Sequence, residues 1–150
     1  MAQDEIEVGQ RGAEAAFLRG VGYARIKQWQ QAIRALSAAL EEDRGHVEAH
    51  LELARCQAQV GQTREAVRLI DRALGLPRLD DGMRVRLLGL LGRVSVQGGD
   101  YARASEAFEE VMEITGGAGG PILNQLGQVM CKSGNFERGF ALFARAMRQK

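Results

Sequence analysis

At 150 residues, with 45% hydrophobic and 26% charged content, the chain has the size and make-up of one folded soluble domain or one short repeat array. A net charge of +1 gives no global pull toward nucleic acid, although arginine outnumbers lysine 17 to 3. No apolar run reaches the roughly 18 residues of a membrane-spanning helix.

Residues 1–12 are acidic and polar, lack the basic start and apolar centre of a secretory leader, and are expected to form a flexible leader in a cytoplasmic protein. From Ala13 apolar residues recur at three- and four-residue steps. This predicts helices over 13–26, 30–43, 47–60, 63–75, 82–97, 101–115, 121–133 and 136–148. Sustained two-residue alternation is absent, so no sheet is expected. Turn chemistry falls between the helices, at Gly61-Gln62, Gly98-Gly99-Asp100 and Gly134-Asn135, with Lys27-Gln28 filling that place first without a glycine. Pro77 stops the fourth helix, Asp80 or Asp81 can cap the fifth, and Pro121 suits the first turn of the seventh. The stretch Gly116–Gly120 follows a helix rather than a strand and lacks a Gly-Lys-Ser/Thr ending, so it reads as a linker and not a phosphate loop.

Small residues twelve apart mark each helix pair: Gly20/Ala32, Ala54/Ala66, Gly92/Ala104 and Gly127/Gly139, recurring at 34, 38 and 35 residues. Two antiparallel helices approach closely only where side chains are small. Larger residues keep a fixed register around these points, with Leu36, Ile70, Phe108 and Phe143 four after the second small residue, and Trp29, Thr63, Tyr101 and Phe136 three before it. Such a period means a solenoid of helix pairs, a class that usually binds proteins.

The segments 27–43 (KQWQQAIRALSAALEED), 61–74 (GQTREAVRLIDRAL), 99–110 (GDYARASEAFEE) and 135–147 (NFERGFALFARAM) resemble tetratricopeptide repeats, and the resemblance covers about residues 13–148. Departures are Arg19 for leucine, Gln57 and Ser95 for an aromatic, Gly139 for alanine, and Arg44 where proline is common. The resemblance implies an all-α, right-handed α-α superhelix of four helix-turn-helix repeats (about 13–46, 47–80, 81–118 and 119–150), with a concave groove lined by each first helix. It also implies a scaffold, adaptor or chaperone that holds a peptide.

One stripe of each first helix is expected to face that groove: Phe17, Val21 and Arg25; Leu51 and Arg55; Arg86 and Arg93; Asn124, Gln128 and Lys132. The full stripe holds five basic and two acidic residues, more positive than the whole chain, and arginine forks pair carboxylates in two bonds. An acidic peptide is therefore the expected ligand, with Phe17, Val21 and Leu51 as an apolar anchor. The chaperone-tail adaptors of the family use Lys and Asn where this chain has Phe17 and Val21, so that subclass is not expected. The last helix is unusually apolar, and Phe140 and Met147 occupy places where earlier repeats pack on a following helix. They are expected to serve self-association or partner docking.

His46 and His50 share a helical face with Glu48 or Glu52 nearby, yet lack the HExxH order and a third ligand. Cys56 and Cys131 lie 75 residues apart with no CxxC and read as reduced thiols. No metal, cofactor, catalytic constellation, nucleic-acid partner or membrane span is expected. The leading expectation is a non-enzymatic scaffold or adaptor. A chaperone of a bacterial secretion or assembly system and a regulatory module of a larger enzyme are the alternatives.

Overall fold

The computed structural model describes residues 2–117 and 119–149, with side chains from residue 11 onward. Its elements are α1 (Ala2–Arg25), α2 (Trp29–Glu42), α3 (Val47–Gln59), α4 (Thr63–Leu74), α5 (Asp81–Gln97), α6 (Tyr101–Thr115), α7 (Gly120–Lys132) and α8 (Phe136–Arg148). There is no strand among the described residues. Helices α2 to α8 match the expected spans to within one residue at either end. The first does not. Helix α1 runs unbroken from Ala2, so residues 2–12 open that helix instead of forming a separate leader. Alanine, glutamine and glutamate there are strong helix formers, and two glycines weaken the helix without ending it.

The chain divides into two compact units, Met1–Arg78 and Leu79–Lys150. In the first, α1 packs on α2, α2 on α3 and α3 on α4; in the second the order is α5 on α6, α6 on α7 and α7 on α8.

Each pair turns the same way. The residue between its helices takes a left-handed backbone: Lys27 (φ 61°), Gly61 (83°), Gly99 (80°) and Gly134 (93°). The next N–H then donates five residues back, to Tyr23, Gln57, Ser95 and Met130 O, at 2.8–2.9 Å. That bond satisfies a carbonyl the helix end leaves open. The second helix is then capped by Asp100 Oδ1 accepting from Arg103 N (3.1 Å) in the third pair, and by Asn135 Oδ1 accepting from Arg138 N (3.4 Å) in the fourth. Asp80 caps α5 the same way, at 2.7 Å from Met83 N.

The small residues work as notches. A methyl placed on Gly20 would lie 2.5 Å from Leu36 Cγ, and one on Gly127 would lie 2.8 Å from Phe143 Cε1. On Gly92 it would collide with the Phe108 ring. The large residue of each second helix therefore fills the space that a first-helix side chain would need. Ala54 and Ile70 hold the same places, both fully buried. Gly139 stands where the family prefers alanine because Cys131 Sγ and the Gly127 carbonyl already fill the site. Fully burying one such leucine or phenylalanine is worth about 1.5–3 kcal/mol.

Two expectations follow from this geometry. Gly92→Leu is expected to destabilise the protein by about 3 kcal/mol through overpacking. Combining it with Phe108→Ala should cost less than the two single losses added, and urea denaturation reads both. Lys27→Gly relieves a left-handed residue, a cost of about 1–2 kcal/mol partly offset by backbone entropy. The melting temperature should rise by about 2 °C, and an unchanged or lower value would show that Lys27 bears no strain.

Candidate functional site

In the second unit, α5, α6 and α7 enclose a cleft of about 200 Å³. Arg93 and Val96 come from α5, one turn apart, and Phe108 reaches it from α6. Gln125, Gln128 and Lys132 recur at three- and four-residue steps and so share one face of α7, with Val129 beside them. Phe108 is there because the Gly92 notch lets its ring lie against α5, and it is almost fully buried. The notch that joins the pair thus also floors the cleft. Above the apolar floor stand two cations and two amides, and no carboxylate lines the space among the described residues. Arg93, Gln128 and Lys132 are all exposed. The carbonyl ends of α7 also favour a positive charge at Lys132, in its last turn. Guanidinium and ammonium groups can take a carboxylate, and glutamine amides can both donate to and accept from a peptide backbone.

Of the residues expected to line a groove, this cleft collects Arg93, Gln128 and Lys132. Arg86 and Asn124 are exposed on the same helices but do not line it. Gln125 was not among the expected residues. Its signal was the spacing 125, 128, 132, one residue off the stripe chosen on α7.

The first unit departs from expectation. Phe17 is 8% exposed and packs against the His46 ring (centroids 4.6 Å apart), and Leu51 is fully buried. Neither offers an apolar anchor to a ligand. Helix α3 is flanked by α2 and α4, so its buried stripe is wider than the groove-facing stripe assumed from spacing alone. Val21 is half-buried and Arg25 exposed. Arg55 is exposed and donates to Glu52 Oε1 on its own helix at 3.3 Å, a pair worth about 0.3–0.5 kcal/mol.

Both histidines have structural partners. His46 Nδ1 accepts from Ala49 N (3.1 Å), capping α3, which leaves its Nε2–H to donate to Glu14 Oε2 (3.2 Å). His50 donates from Nδ1 to the His46 carbonyl at 2.9 Å. Burial lowers the His50 pKa below the usual histidine value, opposed by that carbonyl bond and reinforced by the nearby Arg72. Burial likewise pushes the Cys56 thiol up to about 11, so it stays protonated at neutral pH. Cys56 and Cys131 are both free thiols.

The glycine-rich linker is tied down from α8. Gln149 Oε1 accepts from Gly119 N (3.1 Å), and its Nε2 donates to the Gly117 carbonyl (3.4 Å). Ala118 lies outside the described residues. At the end of the second unit, Phe136, Phe140 and Met147 are 56%, 62% and 81% exposed, and the two phenylalanine rings lie 6.2 Å apart. No described helix is long and apolar enough to cross a membrane.

The chain matches tetratricopeptide-repeat models over residues 27–81 and 85–116. It is 28% identical over 99 residues to the lipopolysaccharide assembly protein B of Escherichia coli K12, and equally to that of Escherichia coli O157:H7. That match takes in 66% of this chain but 25% of the relative, so the chain spans a quarter of the length of these curated relatives. Among solved structures, a crystal structure of MamA superposes with a TM-score of 0.77 at 21% identity, over 90% of this chain and 76% of that one. MamA from Desulfovibrio magneticus RS-1 does so at 0.79 and 16%, over 90% and 73%. At such identities the likeness shows the fold alone. With its helix pairs, its glycine and alanine notches and two repeat models across more than half its length, the chain belongs to the tetratricopeptide-repeat family.

Proposed function

We propose that this protein holds an acidic peptide segment of a partner in the α5–α7 cleft. Its family gives the coarser class, a protein-interaction scaffold built of tetratricopeptide repeats. One observation supports the finer role. Two exposed cations, Arg93 and Lys132, and two amides, Gln125 and Gln128, face one space floored by Val96, Phe108 and Val129. A partner's aspartate or glutamate would be held by the cations, its backbone by the glutamines, and one apolar side chain by the floor. No step of this requires bond-making chemistry, and the role is non-enzymatic.

The relative named for lipopolysaccharide assembly supports a further possibility, a scaffold or chaperone within a bacterial assembly system. The short share of that relative covered by the chain also leaves room for a regulatory module within a larger protein. Co-purification from the native host, with the bound proteins identified by mass, separates these settings.

The exposed Phe136, Phe140 and Met147 support a second contact surface, for self-association or docking.

Replacing Arg93 and Lys132 together by glutamate is expected to weaken an acidic partner peptide at least roughly tenfold, and added salt should weaken the parent's binding. Fluorescence anisotropy measures both, and unchanged affinity would remove the cleft from the account. Phe140→Glu is expected to shift any self-associated protein to monomer in light scattering. A parent protein that stays monomeric at high concentration would rule self-association out.

A further inference from the structure

The first unit has a cleft of its own, about 830 Å³, between α2 and α4 and over α3. Repeat register gives it a counterpart in the second unit between α6 and α8, about 590 Å³. The counterpart is strapped: Arg138 on α8 donates to Glu109 on α6 at 2.8 Å. At the matching places the first unit has Glu65 and Ser37, which cannot form that pair, and its cleft is the larger of the two.

The floors differ as well. Leu123 and Met130, buried in the core of the second unit, correspond to His50 and Gln57 in the first. Both polar residues line the cleft. Gln57 Oε1 is buried with no hydrogen-bond partner. His50 spends its Nδ1–H on the His46 carbonyl, which leaves Nε2 as an acceptor. Two acceptors in a floor otherwise made by Leu40, Leu53 and Leu69 cost stability unless a donor reaches them. Around the rim stand Arg44, Arg68 and Arg72 against Glu41 and Glu65. No side chain of these five forms an ion pair or hydrogen bond among the described residues.

We propose that the α2–α4 cleft is a second binding site, which takes an extended acidic segment of a partner protein. The α4 wall from Glu65 to Arg72 runs about 10 Å at 1.5 Å per residue. That length suits about three residues of extended chain at roughly 3.3 Å each and exceeds a small carboxylate. An extended chain supplies what the cleft lacks. Its backbone N–H groups donate to Gln57 Oε1 and His50 Nε2. Its alternate side chains point two ways, so apolar ones meet the leucine floor and carboxylates meet Arg68 and Arg72. This site lies on other helices than the α5–α7 cleft and stands or falls separately from it.

The probe is a short fluorescein-labelled peptide of alternating glutamate and leucine, with a lysine–leucine peptide as control. Its binding is expected to shift amide resonances of α2 and α4 and to discriminate against the control. Arg68→Glu with Arg72→Glu should weaken it roughly tenfold or more. Ser37→Glu with Glu65→Arg transplants the strap of the second unit, and should weaken binding similarly while the melting temperature holds or rises. Arg93→Glu, aimed at the other cleft, should leave these α2 and α4 shifts in place. Parent-like affinity in the strapped variant, amide shifts confined to α5 and α7, or no saturable binding would each overturn the proposal.

Discussion

A large side chain from the second helix of each pair enters a gap that the first helix leaves by having no side chain there. Leu36 enters at Gly20, Phe108 at Gly92 and Phe143 at Gly127. Dispersion and burial favour the contact only while both halves keep their size, since interiors as dense as crystals neither stretch over a void nor yield to an added methyl group. The contact also explains why the inter-helix turns are uniform. With the notch and its plug sixteen residues apart along the chain, the turn must reverse direction within a few residues. The left-handed residue and the five-residue-back hydrogen bond do that four times over.

Much of this was legible in the sequence because it is local. Helix spans, turn glycines, a cap at Asp80 or Asp81 and the register of small and large residues all follow from spacings within one pair, and the structure places the cap at Asp80. The misread residues are those whose surroundings come from a neighbouring pair. Phe17 was placed on an open face, yet it meets His46, which a later helix brings over it. Leu51 has the spacing of a groove residue on α3 alone, but α3 is packed on both sides and buries it. One departure from the family pattern shows in burial: Arg19 is exposed where Leu53, Leu91 and Leu126 are buried. Residues 2–12 were misjudged for a different reason. Their polarity suggested a leader, but helix propensity does not require an apolar face.

The candidate site was half legible. Charge type and helical face brought out Arg93, Gln128 and Lys132. The floor was not, since Phe108 belongs to a second helix and reaches the cleft only through the glycine opposite it. A structural contact and the candidate cleft thus share one ring. Its inner side fills the notch and its remaining edge meets the cleft, so the position of the floor is set by the same packing that sets the fold.

Buried polar atoms show where the repeats differ. Ser95 and Gln57 hold the position that family members give to an aromatic ring, and each leaves a buried oxygen without a partner. For a hydroxyl and an amide in otherwise apolar surroundings, that costs about 1–3 kcal/mol each. The last pair of helices avoids the cost at the equivalent place with Met130, which packs into the core of the second unit. A chain under selection for stability alone would carry an apolar residue at all three. Gln57 in particular sits below a wide cleft whose strap is missing, beside a histidine that burial holds neutral. An acceptor kept there is tolerable if something in the protein's working state donates to it. The residues that weaken the first unit as a folded core are therefore the ones on which the proposed second site rests.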